Sequence, residues 1–192
     1  LIEMMAENPP WAEYFVNFLA SDGSDPHATV RFYQEGARVG LPVDDADRAS
    51  VVNSLVAMEQ YDSAWSYYKS FRPGVDARRS RVLDVSSSAS VAPWFDWIPA
   101  NDDGLSASIQ QGEGGSGSVE FLAPPGVGGI LLQQMQMLPA GTYRIRGRSI
   151  GIEQPERSLP YWTLTCRDGR EYGRVAIPNS KQAKGSFEGF FK

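Results

Sequence analysis

Hydrophobic positions in the first third of the chain recur at helical spacing. "PPWAEYFVNFLA" sets Trp11, Phe15, Phe18 and Leu19 four, three and one residues apart, which predicts one apolar stripe on a helix that starts behind prolines. "PHATVRFYQEGARVG" predicts a second helix, with Asp25 before Pro26 as its cap and Gly36 or Gly40 near its stop. "PVDDADRASVVNSLVAMEQ" opens with acids that suit a helix N-terminus and runs on through Val51, Val52, Leu55, Val56 and Met58. "YDSAWSYYKSFRPG" then ends on a proline and a glycine. Residues 1–76 therefore read as helices joined by short turns.

The period changes after Pro93. Residues 77–92 read as a linker, with a basic cluster at Arg78, Arg79 and Arg81, expected to be solvated surface, followed by the Ser-rich spacer "SSSAS". Beyond it, "WFDWI", "LSASIQQ", "GSVEFLAP", "GGILLQQMQML", "GTYRIRGRSI", "PYWTLTC", "REYGRVAI" and "GSFEGFF" are short segments punctuated by Gly and Pro. Strands at intervals of about 10 residues predict an antiparallel β-sandwich or jelly roll over 93–192. The fold class is thus α+β multidomain, helices first and an antiparallel β domain after. In "GTYRIRGRS", Tyr143, Ile145 and Gly147 share the side expected to be buried, opposite Thr142, Arg144, Arg146 and Arg148. Those arginines have two readings, the wet side of a sheet or a row that binds a ligand.

Two stretches carry a family resemblance. "LVAMEQYDSAWSYYKSFRP" resembles the middle of a tetratricopeptide repeat, through Leu55, Tyr61, Ala64 and Tyr68, with Pro73 ending the second helix. A small Ala64 suits two helices in close approach, and the aromatics suit the gap toward a neighbouring repeat. Pro73 falls earlier than that family's proline and no second full copy is present in residues 1–50, so a plain helical hairpin is the other reading. "LLQQMQMLPAGTYRIRGRS", with "WFDW", "GSVEF" and "YWTLTC" around it, is similar to galactose-binding-like jelly-roll modules. The carriers are Gln134, Met135, Met137, Leu138, Pro139, Gly141 and Tyr143. The combination resembles bacterial tetratricopeptide-repeat proteins with a C-terminal β domain. That resemblance implies a non-catalytic, extracytoplasmic binding protein, and a cysteine partner for Cys166 outside this chain.

Composition narrows the function classes. With 42% hydrophobic and 21% charged residues among 192, the chain has an ordinary globular make-up. A net charge of -5 argues against a nucleic-acid partner, which calls for a basic footprint. No apolar run is long enough to span a bilayer. The first residue is Leu1 and "GSFEGFFK" ends abruptly, so both ends read as internal to a longer protein and the β domain as truncated at its C-terminus. The single cysteine, Cys166, reads either as a small buried hydrophobe or as half of a disulfide.

Candidate chemistry is sparse. The only histidine, His27, sits beside Pro26 at a predicted helix start, with no cysteine or acid at metal-ligand spacing. No Gly-x-Ser-x-Gly elbow presents a nucleophile, and "GEGGSG" lacks the lysine and following helix of a phosphate loop. "NDDG" reads as a polar turn, with structural calcium as the rarer alternative. No enzyme activity, metal or cofactor is expected. Sugars stack their apolar faces on aromatic rings and bond Arg, Asp, Asn and Gln through hydroxyls. The candidate ligand-binding set is therefore Trp94, Arg144, Arg146, Arg148 and Tyr172, with Trp97 and Trp162 assigned to the core. The expected function is a binding or scaffold protein whose β module takes a cell-envelope or exopolysaccharide. The alternative is a protein-interaction scaffold in which the helices hold the partner and the β domain is a cap.

Overall fold

The computed structural model describes residues 1–7, 9–22, 25–41, 43–81, 83, 91–102, 104–111, 117–124 and 126–192. The chain is mixed α+β, with five α-helices followed by short antiparallel sheets among the described residues. It divides into two compact units, Leu1–Met137 and Leu138–Lys192. The spacer "SSSAS" and most of "GEGGSG" lie outside the described residues, as does Asp103 of "NDDG".

In the first unit the helices are α1 (Ile2–Ala6), α2 (Ala12–Asp22), α3 (Pro26–Arg38), α4 (Asp45–Ala57) and α5 (Tyr61–Phe71). The stripe that α2 buries differs from the expected one. Ala12, Val16 and Ala20 are inside, whereas Trp11 and Phe18 are exposed and Phe15 and Leu19 are half-buried. Small residues at i, i+4 and i+8 let the helix backbone approach its neighbours, which displaces the large rings to its flanks. Helix α3 begins as its sequence requires: the Asp25 carboxylate accepts from the backbone N–H groups of His27 and Ala28 at 3.0 and 3.1 Å. After its end Leu41 folds back over Gly36, where a Cβ would stand 2.6 Å from the Leu41 Cδ2. On α4, Val51, Val52, Leu55 and Val56 are buried, while Met58 is exposed in the turn that leads to α5. Ala64 and Tyr68 of α5 are buried beside them.

The start of α4 carries a reciprocal cap. The Asp44 carboxylate accepts from the Asp47 N–H at 2.8 Å, and the Asp47 carboxylate accepts from the Asp44 N–H at 3.3 Å. Asp47 is buried, and that desolvation, with Asp44 and Glu13 of α2 adding negative charge, pushes its carboxyl up to about 6. Burial also raises the hydroxyl of Tyr33, which donates to the Val16 carbonyl at 2.7 Å.

The segment after the linker joins this helical core. Phe95 is buried in it, and Trp94, Met135 and Met137 pack against it. Asn53 of α4 holds the segment by its backbone, donating to the Ala92 carbonyl at 3.1 Å and accepting from the Trp94 N–H at 3.0 Å. The Asp96 carboxylate accepts from the Tyr68 hydroxyl at 2.5 Å and from the Arg81 Nε at 3.2 Å. Arg81 is thus half-buried in an ion pair, unlike the solvated surface expected of its cluster, while Arg78 and Arg79 are exposed. On the same side, the Arg72 guanidinium donates to Asp45 at 2.9 Å and holds that carboxyl below the usual carboxylate range.

The first unit also holds β1 (Ile98–Pro99), β2 (Asn101–Asp102), β3 (Leu105–Gln111), β4 (Gly117–Leu122) and β5 (Leu132–Gln133). They pair as β1–β5 and β2–β3–β4, all antiparallel. The second unit contains β6 (Tyr143–Ser149), β7 (Tyr161–Thr165), β8 (Glu171–Ala176) and β9 (Gly185–Phe191), paired as β6–β9 and β7–β8. Among the described residues the strands therefore form four small sheets, with neither a clear jelly-roll sandwich nor clear tetratricopeptide hairpins. One cause is visible in "GGILLQQMQML". Only two of its residues form a ladder, because Met135 and Met137 turn to the helical core and the Gln134 amide donates to the Phe95 carbonyl at 2.9 Å.

Two measurements test these assignments. The folded state holds the Asp47 proton between the ordinary carboxylate pKa of 3.8 and about 6, so this group's contribution to stability is present below that window and lost as pH rises through it. Asp47→Asn keeps an acceptor for the Asp44 N–H without the charge. Its stability relative to the parent, read by denaturant unfolding, should increase as pH is raised from about 4 to about 7. Tyr68→Phe removes the hydroxyl that meets Asp96 and should cost about 1–2 kcal/mol in the same assay.

Candidate functional site

Pleat parity makes the surface that carries the arginine row. On β6, Tyr143, Ile145, Gly147 and Ser149 are half-buried and alternate with exposed Arg144, Arg146 and Arg148. The antiparallel partner β9 repeats the alternation. Ser186, Glu188 and Phe190 are exposed, between the more buried Gly185, Phe187, Gly189 and Phe191.

Register then sets the neighbours on the outer face. Arg144 stands opposite Phe190, Arg146 opposite Glu188, and Arg148 opposite Ser186. Such pairs have Cβ atoms about 5 Å apart, and successive arginines stand about 7 Å apart along the strand. Phe190 is 57% exposed, so its ring is presented to solvent next to Arg144 rather than used in packing. Arg146, Arg148, Ser186, Phe187 and Glu188, with Gly147, line a depression open to solvent. The Arg144 Nη1 lies 4.0 Å from the Glu188 Oε1, with both side chains about half exposed. Among the described residues Arg146 and Arg148 make no ion pair.

The inner face explains why the charges all point outward. The Phe187 ring lies over Gly147, where a Cβ would come within 2.5 Å of its Cζ. A Cβ at Gly189 would stand 2.2 Å from the Val175 Cγ2 of β8. The two glycines thus allow an aromatic ring and a neighbouring strand to approach the ribbon from one side only. Ile152, Val175, Ile177 and Phe191 are buried in this unit. Its entry corner is closed by the Tyr143 hydroxyl, which donates to the Pro139 carbonyl at 2.5 Å. A tyrosine at a strand start bonded to backbone a few residues upstream is a corner known from β-sandwiches.

The remaining candidates are placed differently. Trp94 belongs to the first unit, half-buried against the helical core. Tyr172 is half-buried on β8, and the Arg170 guanidinium lies 5.1 Å from its ring centroid, covering a face that sequence reading left open for a ligand. Trp97 and Trp162 are half-buried, and the Trp97 indole N–H donates to the Arg81 carbonyl at 2.8 Å. Cys166 is exposed in the turn after β7, not buried, and the turn is closed by its N–H on the Arg170 carbonyl. His27 is exposed at the start of α3.

Phe190 and Glu188 are not among the residues the sequence singles out, although the alternation in "GSFEGFF" already puts both on one side of a strand. A second exposed aromatic, Tyr161, carries the Arg174 guanidinium 4.0 Å from its ring centroid. That guanidinium also makes two bonds to the Glu171 carboxylate, at 3.1 and 2.9 Å, which hold the carboxyl below its usual range. Arg174 is therefore already occupied. Among the described residues no group of three or more His, Cys, Asp or Glu could hold a metal ion, and no helix is long and apolar enough to cross a membrane.

No protein-family model, curated protein or solved structure matches this chain.

The arginine row contributes little to holding the ribbon together, since among the described residues its one ion pair is long and exposed and like charges repeat along one side. Replacing Arg146 and Arg148 together by Gln should change stability by no more than about 0.5 kcal/mol, measured by denaturant unfolding.

Proposed function

We propose that this protein is a non-catalytic binding protein whose β6–β9 face recognises carbohydrate. The observation that carries this reading is the exposed Phe190 ring beside Arg144, in register with a row of arginines not consumed by packing. An apolar ring offers a platform for a sugar's C–H face. Guanidinium, carboxylate and hydroxyl groups at Arg146, Glu188 and Ser186 suit the hydroxyls around it. The Tyr143–Pro139 bond has the form of a corner used in β-sandwiches, the fold that the resemblance to galactose-binding-like modules implies. An extracytoplasmic site, at the cell envelope, accords with that resemblance and with an exposed Cys166.

One observation favours the scaffold reading as a second function. Trp11, Tyr14 and Phe18 are all exposed on or beside α2, at helical spacing, and Tyr14 is 77% exposed. Large rings held out to solvent on one helix offer a protein partner ready anchors.

Retention of the chain on immobilised polysaccharides, neutral and acidic, tests the first reading. Retention by at least one polymer is expected, with Phe190→Ala weakening it by about fivefold or more. Retention unchanged by Phe190→Ala would remove this face as the binding surface.

A further inference from the structure

We infer that the carbohydrate bound by the β6–β9 face is an acidic polysaccharide, whose carboxylates pair with Arg146 and Arg148; this rests on the reading of that face as a carbohydrate site. The outer side of the ribbon sets three guanidinium groups against the single carboxylate of Glu188, in a chain whose net charge is -5. Glu188 lies at the limit of ion pairing with Arg144, and among the described residues Arg146 and Arg148 have no carboxylate partner.

Arginine is the side chain suited to this task, because its planar fork meets both oxygens of a carboxylate at once. Several guanidinium groups in one row can each pair with a carboxylate of the same chain, which suits a polyanion such as a chain of uronic acid units over one small anion. Arg146, Arg148, Ser186 and Glu188 also border a depression that is open to solvent. Phe190, at the Arg144 end, adds an apolar surface on which a sugar ring can lie, beside the charges. A nucleic acid would call for a basic footprint broader than one strand face on an acidic protein.

Calorimetric titration of the full chain with polygalacturonate and alginate, with the carboxyl-reduced form of each, and with polyglutamate tests the inference. At least one of the two acidic polysaccharides should bind, about tenfold more tightly than its reduced form, and increasing salt should weaken it. Arg146→Gln with Arg148→Gln should weaken that binding by about tenfold while leaving the circular dichroism spectrum unchanged. Equal binding of the reduced polymer, or no effect of the double substitution, overturns the acidic assignment and leaves the carbohydrate reading standing. Polyglutamate binding as tightly as the polysaccharide overturns it in favour of simple charge attraction. Failure of every polysaccharide to bind defeats both readings.

Discussion

A pleated strand has two sides, and β6 can bury only one of them. Tyr143, Ile145 and Gly147 take the inner side, where Phe187 closes over Gly147 and the Val175 methyls reach Gly189. Every other position must then face solvent, and on β6 those are all arginine. The same parity on β9 exposes Phe190, Glu188 and Ser186. A slip of β6 by one residue against β9 would turn its guanidinium groups inward and Ile145 outward, so the inner packing that fixes the ribbon also fixes which side chains face solvent. The glycines have a specific part in this. A β-carbon at either position would push the ring or the neighbouring strand away and loosen the contact that sets the register.

The first unit depends on a different interaction. Asp96 gathers the Tyr68 hydroxyl of α5 and the Arg81 guanidinium within hydrogen-bond distance, while Asn53 of α4 grips the backbone of the same segment on both sides of Pro93. The segment that follows the linker is therefore tied to the helices by polar bonds, and Phe95 completes the tie by burying its ring among them. These bonds involve side chains that are at least partly withdrawn from water, where a donor left without its acceptor is costly. They explain why a stretch that alternates like a strand, Leu131–Met137, ladders over only two residues. Its methionines have an apolar surface to reach, and that surface is helical.

Local chemistry was legible in the sequence. The Asp25 cap, the acids that open α4, the ends of α3 and α5, and the strands β3, β4 and β6 to β9 all follow from caps, prolines and alternation that a reader can find unaided. So was the outward side of β6. What the sequence hid were contacts between distant residues. Nothing in "PPWAEYFVNFLA" says that Ala12, Val16 and Ala20, rather than the aromatic rings, meet the neighbouring helices, since both sets have helical spacing. Nothing in "DARRSR" says that Arg81 finds Asp96 while Arg78 and Arg79 stay in water. Phe190 is of the same kind. Its exposure follows from pairing with a strand some forty residues earlier, and only that pairing places it beside Arg144.

That distinction bears on how the arginine row is to be understood. Charged residues on an outer strand face often serve solubility and keep edges from pairing with another chain. An acidic protein that needed only those effects would gain as much from Asp, Glu or Lys, and would intersperse the two signs. Here one sign and one residue type repeat at every outward position of β6, and across from them stand a carboxylate, a hydroxyl and an exposed phenyl ring. Solubility does not call for a phenylalanine in water, and edge protection does not call for three guanidinium groups in step. An anionic sugar chain of the kind proposed would use both features at once, the guanidinium groups for its charges and the exposed ring for an apolar face.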